Sequence, residues 1–188
     1  MNNPFPSKIL WDNAARDGLV LGLFTAACRL LIDRMTIAEG SAGMAILCCI
    51  VWAVKFGGCL WFMKYCMEKF SRRYSDAGTA DTARYGRRTA LLSAFVFSAM
   101  LLCYMLVIDP ASTEVRTGMM MEMFSQMYGT GIDTNTMNAL RQTMDMYPQV
   151  TFASTLVYSY LYGVILSSIL ARHIAANDPF AEFMNKND

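Results

Sequence analysis

GMAILCCIVWAVKFGGCLWFM, residues 43–63, carries a single charged side chain, Lys55. At about 1.5 Å of rise per residue, a helix of this length spans the roughly 30 Å of hydrocarbon in a bilayer. Twelve residues from Gly43 place Lys55 about 18 Å in, near the midplane. An isolated lysine there costs roughly 2.5–3.5 kcal/mol on insertion scales, so a polar partner or water is expected beside it. Its stem, about 6 Å long, is too short to leave the slab without thinning it. Lys55 is therefore expected to point into a helix bundle.

Outward from this segment, Lys64, Glu68 and Lys69 close it on the C-terminal side, where cationic stems can snorkel to the interface. Trp61, Phe62 and Tyr65 fall where an aromatic belt belongs. The following stretch, SRRYSDAGTADTARYGRR (71–88), sets Arg72, Arg73, Arg84, Arg87 and Arg88 against Asp76 and Asp81. It is the most basic connection in the chain, which places it on the cytoplasmic side, with Asp81 as the expected N-cap of the next helix. Residues 89–108 are uncharged until Asp109-Pro110 and carry a ladder of small residues, Ala90, Ala94 and Ser98.

On the N-terminal side, residues 14–33 form the weakest of four spans. Ala14, Gly18, Gly22 and Ala26 recur every fourth position, a stripe that lets another backbone approach, either within this bundle or in a dimer. Arg29 and Asp33, four apart, are expected to pair on one face near the membrane edge. Ile9-Leu10-Trp11, after Pro4 and Pro6, is expected at the lipid interface. The apolar run 19–27 before Cys28 faintly resembles a signal peptide. Thr25 occupies the position of a large aliphatic and the apolar pattern resumes at Leu30, which argues against cleavage.

The last span, 150–171, is uncharged but rich in hydroxyls. Thr151, Thr155, Tyr158 and Tyr162 share a helical face, and such a stripe is expected to point inward. Twelve residues from Val150 reach Tyr162, level with Lys55. The expected mid-membrane polar site is therefore Lys55 with Tyr158, Ser159 and Tyr162, with Asp33 or Glu39 as more distant counter-charges. Between the third and fourth spans, 109–148 alternates into two helical patterns. One places Val115, Met119, Met123, Phe124 and Met127 together; the other, capped by Asp133 or Thr134, places Met137, Leu140, Met144 and Tyr147 together.

These readings converge on an all-α, polytopic membrane protein. It forms one domain over 1–188, a four-transmembrane-helix bundle with spans at about 14–33, 43–67, 86–108 and 149–172. An extracytoplasmic amphipathic helical hairpin, 109–148, joins the third and fourth spans, and both termini are cytoplasmic. Gly18, Gly22, Ala26, Gly57, Gly58 and Ala94 are the expected helix-packing positions.

Composition agrees. The chain is 55% hydrophobic with a mean hydropathy of +0.30, above the usual soluble range. No basic face interleaved with aromatics lies outside the membrane flanks, which gives no support for nucleic-acid binding. The six cysteines all fall in or beside apolar stretches, where they read as small packing residues rather than a disulfide framework. No CxxC pair accompanies the isolated His173, so neither a metal site nor a cofactor is expected.

Several of these features together resemble a known family. They are the glycine-rich first span, the second span running into a basic tyrosine-containing loop, and the RYGRRTALLSAF entry (84–95) to the third. The Asp109-Pro110 exit, the long outer segment and a last span with Gly163 leading to Ala171-Arg172 belong to the same pattern. They resemble an uncharacterised family of bacterial four-helix integral membrane proteins, catalogued as a domain of unknown function. The resemblance covers about residues 14–176. It implies a bacterial inner-membrane location and supplies no catalytic residues.

Three function classes follow. The first is a non-catalytic partner or scaffold for another membrane protein or a lipid-handling enzyme, whose contacts are the bilayer and a membrane-protein partner or a second copy. The second is a unit that binds or transports a small molecule, ion or lipid at Lys55. The third is Cu(I) handling through the thioethers of Met119, Met120, Met121, Met123, Met144 and Met146. No Ser-His-Asp or Cys-His arrangement, HExxH or phosphate loop is present, so no enzyme is expected.

Overall fold

A computed structural model describes residues 6–37, 42–74, 78–128 and 134–176. All of its regular structure is helical. In chain order the helices are α1 (Ser7–Ile37), α2 (Ala42–Arg73), α3 (Thr79–Cys103), a π-helical turn (Tyr104–Ile108), α4 (Pro110–Tyr128), α5 (Thr134–Asp145) and α6 (Tyr147–Ala176). Three helical stretches, Gly43–Arg73, Thr79–Ile108 and Tyr147–Ile174, are long and apolar enough to cross a membrane. α1 is as long, at 31 residues, but carries Arg16, Asp17, Arg29, Asp33 and Arg34, and is not among the three.

Helix ends follow local chemistry. Pro6, which cannot donate, precedes α1, and its carbonyl accepts the Leu10 amide at 3.4 Å. α1 therefore starts well before the expected span and takes in Ile9, Leu10 and Trp11. Leu10 is buried in the core rather than resting at the interface. α2 ends on Arg72 and Arg73, cations that suit the negative end of the helix dipole.

α3 starts two residues before Asp81. The Gly78 carbonyl accepts the amides of Asp81 and Thr82, both at 3.0 Å. Asp81 is thus a first-turn acid, paired with Arg84 at 3.2 Å, and not the cap that its sequence position suggested.

The chain divides into two compact units, residues 1–97 with 157–188, and residues 98–156. In the first, α1 meets α2 and the included part of α3, and the included part of α6 meets α2 and α3. A Cβ added to Gly18 would lie 2.8 Å from Leu92 Cβ and 2.9 Å from the Thr89 carbonyl; one on Gly22 would meet Val96 and the Ser93 carbonyl at 2.8 and 2.9 Å. The small stripe of α1 is thus filled by α3 of the same chain. Ala26 and Ala94 are buried at 4% and 2% exposure. α6 closes on α3 in the same way, with Gly163 over Ala90 and Ser167 over Gly86. The core comprises Leu10 and Ala14 of α1, Met63, Met67 and Phe70 of α2, Tyr85 of α3 and Leu170 of α6, among others.

The second unit holds the π turn and the hairpin. The Asp109 amide donates to the Tyr104 carbonyl at 2.9 Å, closing the wide turn. Asp109 then caps α4: its carboxylate accepts the Ser112 amide at 3.2 Å and the Ser112 hydroxyl at 2.8 Å, with Pro110 at the first helical position. On α5 the side bearing Met137, Leu140 and Met144 is half-buried, as its apolar spacing requires. α4 differs. Val115, Met119, Met123 and Met127 are 55–68% exposed, so its apolar side is uncovered.

Candidate functional site around Lys55

Lys55 sits half-buried on α2, and aromatic rings surround its ammonium group. Nζ lies 5.3 Å from the Phe97 ring centroid on α3 and 5.7 Å from that of Phe56. Both distances are within cation–π range. Phe56 is itself packed between Trp52, at 4.4 Å, and Tyr162 of α6, which meets it edge-on at 5.9 Å.

Among the described residues no side chain hydrogen-bonds or ion-pairs with Lys55. This departs from the expectation of an α6 hydroxyl or backbone carbonyl within hydrogen-bond reach of Lys55. Tyr162 presents a ring edge to Phe56 instead, and Tyr158 is 67% exposed. The cause is which stripe of α6 faces inward. Gly163 and Ser167 pack against Ala90 and Gly86 of α3, and Ser167 and Ala171, each four residues further on, are 0% and 1% exposed. Side chains three and four apart share a helix face, so burying that stripe turns Tyr158 to the far side. Ser159, four residues before Gly163, continues the inward stripe and is half-buried.

α1 supplies the charged surroundings. Arg29 Nε donates to Asp33 Oδ2 at 3.2 Å, and the Asp33 carboxylate is almost fully buried. Arg29, Asp33, Cys28 and Cys59 all lie within electrostatic range of the Lys55 ammonium. The Thr25 hydroxyl donates to the Leu21 carbonyl at 2.7 Å and lies 3.5 Å from Cys59 Sγ. Glu39, the other expected counter-charge, is outside the described residues. Gly58 takes the Phe24 ring at 2.9 Å from where its Cβ would stand, whereas Gly57 meets nothing within 4 Å. Adjacent residues sit about 100° apart on a helix, so only one of the two glycines can serve the α1 contact.

The result is an ammonium group solvated by quadrupoles, with one acid and one further cation nearby. Such a group can attract an anion without first breaking an ion pair to any described residue.

A second polar cluster went unrecognised in the sequence. The Tyr85 hydroxyl donates to the Asp17 carboxylate, and the Tyr85 ring stacks on Phe70 at 4.3 Å with 4° between planes. Asn13 donates to the Ile9 carbonyl at 2.8 Å and to the Tyr74 hydroxyl at 3.4 Å. The signal was present: Asp17, an acid in an apolar segment, calls for a partner. Its partner is 68 residues away, which no local pattern reveals. At the same end Arg88 donates to the Ser7 carbonyl at 3.0 Å and lies 4.9 Å from the Trp11 ring.

The thioethers of Met119, Met123 and Met127 run along the exposed side of α4, each about 6 Å beyond the last along the helix axis. Comparison with protein-family models, curated proteins and solved structures finds no match, so the resemblance drawn from the sequence rests on its motifs alone.

Proposed function

We propose that this chain is a non-catalytic partner or scaffold subunit of the bacterial inner membrane, docking on another membrane protein or a lipid-handling enzyme. In this reading α1 is a fourth span. Its Asp17 is engaged by Tyr85 and its Arg29 by Asp33, which lowers the cost of carrying those charges into the slab. Both termini and the basic connection between α2 and α3 lie in the cytoplasm, and the hairpin of α4 and α5 lies outside.

The observation that carries the reading is an asymmetry between helices. Within their most apolar stretches 39% of residues are buried on α3 and 22% on α6, but 6% on α2. α2 thus leaves Leu47 and Ile50 bare, with the small, exposed Ala45 and Cys49 beside them. Small residues on a bare face allow close helix approach in lipid. The test is a photo-crosslinking side chain at Leu47 or Ile50, compared with one at Ile165 of α6, in native membranes. The expected result is one discrete protein adduct from α2 and lipid adducts alone from α6. A product of twice the chain's mass would replace the partner by a second copy, and lipid adducts from every position would overturn the reading.

Lys55 supports a second reading, a mid-membrane site for a small anion or an acidic lipid. An ammonium clasped by two phenylalanine rings and, among the described residues, paired with no carboxylate is costly unless used. Lys55→Met separates the two readings. It should leave the α2 adduct intact in a partner subunit and abolish ligand uptake in a transport unit.

A further inference from the structure

Trp61, Tyr65 and Lys69 follow one another at four-residue spacing and line one side of α2. The Trp61 and Tyr65 rings stack at 5.7 Å with 11° between planes, and Lys69 Nζ lies 6.0 Å from the Tyr65 centroid. Both rings are open, at 67% and 50% exposure. One side of the stack continues to the open Gly57 and to Val54; the other reaches Arg72 and Arg73 at the helix end. Among the described residues no carboxylate pairs with Lys69, Arg72 or Arg73, and Glu68 is already held by Lys64 at 3.7 Å.

We propose that this stripe binds one anionic phospholipid of the leaflet at the basic end of the protein. Its acyl chain lies along Val54 and Gly57, its glycerol region beside the Trp61–Tyr65 stack, and its phosphodiester headgroup on Lys69, Arg72 and Arg73. The order apolar, amphipathic aromatic, cationic matches the order of a lipid from chain to headgroup. The scale matches too. Gly57 to Arg73 is about 24 Å along the helix, close to half of a bilayer counted with its headgroups. Charge selects the class. Three cations that no carboxylate pairs with among the described residues suit a lipid of net negative charge, whereas a zwitterionic headgroup brings a cation of its own. This inference does not rest on the partner reading: the lipid covers α2 from Val54 to the basic end and leaves Leu47 and Ile50 to a partner.

The test uses the full chain with Trp11→Phe and Trp52→Phe, leaving Trp61 as the reporter. It is reconstituted in phosphatidylcholine vesicles containing a minority of brominated phosphatidylglycerol or, separately, brominated phosphatidylcholine. Brominated phosphatidylglycerol should quench Trp61 several-fold beyond its share of the bilayer, and brominated phosphatidylcholine only in proportion. Lys69→Gln, Arg72→Gln and Arg73→Gln together should cut that excess at least tenfold, since each basic group near an anionic surface contributes about fivefold. Lys8→Gln with Arg87→Gln, on other helices of the basic end, should leave it nearly unchanged.

If the triple variant does not fold, raising potassium chloride on the unaltered chain serves instead and should erase the excess by screening. Inorganic phosphate at matched ionic strength should displace nothing. Proportional quenching by both lipids, an excess that survives the triple variant or high salt, an equal loss in the control variant, or displacement by phosphate would each overturn the proposal.

Discussion

Gly57 and Gly163 are both helical glycines in apolar stretches, yet only one is enclosed. Gly163 sits on Ala90, while the Cβ position of Gly57 is empty. Gly163→Val should therefore lower stability by about 1–3 kcal/mol, the usual cost of overpacking, and Gly57→Val should leave it unchanged. Thermal unfolding in detergent compares them, and equal losses would contradict the packing described. The Tyr85–Asp17 hydrogen bond is also open to a single change. Tyr85→Phe keeps the ring stacked on Phe70 but removes the phenolic donor to the carboxylate, at an expected cost of about 1.5–3 kcal/mol in the same assay. Lys55→Met should move the other way. Removing an ammonium that pairs with no carboxylate among the described residues relieves a burial cost, so its stability should equal or exceed that of the unaltered chain. A large loss would mean that Lys55 holds the helices together.

At the scale of elements, the exit from α3 has the clearest local logic. The π turn shifts the helical register by one residue, Asp109 ends it, and the same carboxylate starts α4 through Ser112. Asp109→Ala should loosen the first turn of α4 by about 0.5–2 kcal/mol. Amide exchange there should quicken by roughly twofold to thirtyfold, with the core of α1 unaffected. Unchanged exchange would show that Pro110 alone fixes the start of the helix. α4 and α5 also behave differently from one another. The apolar side of α5 is half-covered, whereas the methionines of α4 stand exposed and are available to a membrane surface.

For the whole molecule the test is topology. The proposed arrangement puts residues 71–88 on the cytoplasmic face and 109–148 outside. In intact cells an impermeant thiol reagent should label a cysteine at Thr130 and not one at Ser75, in a chain whose native cysteines are replaced. The reverse pattern would invert the protein, and labelling of both would break the proposed order of spans. All six native cysteines are free, so their replacement removes no cross-link.

The sequence by itself determined the helical class and the apolar stretches long enough to cross a bilayer, because hydropathy and length are local sums along the chain. It also located the Arg29–Asp33 pair and the Asp109-Pro110 break, since each depends on residues within one helical turn of each other. What it misjudged depends on rotation about a helix axis. Thr151, Thr155, Tyr158 and Tyr162 do share a face, but a pattern on one helix does not say which face turns inward. That was decided by Gly163 and Ser167, whose small size lets α6 approach α3 most closely, leaving Tyr158 outside and Lys55 among aromatic rings. Asp17 found Tyr85 for the same kind of reason. The contact exists only once Gly18 and Gly22 have drawn α1 against α3, and close packing between helices is a property of the assembled unit.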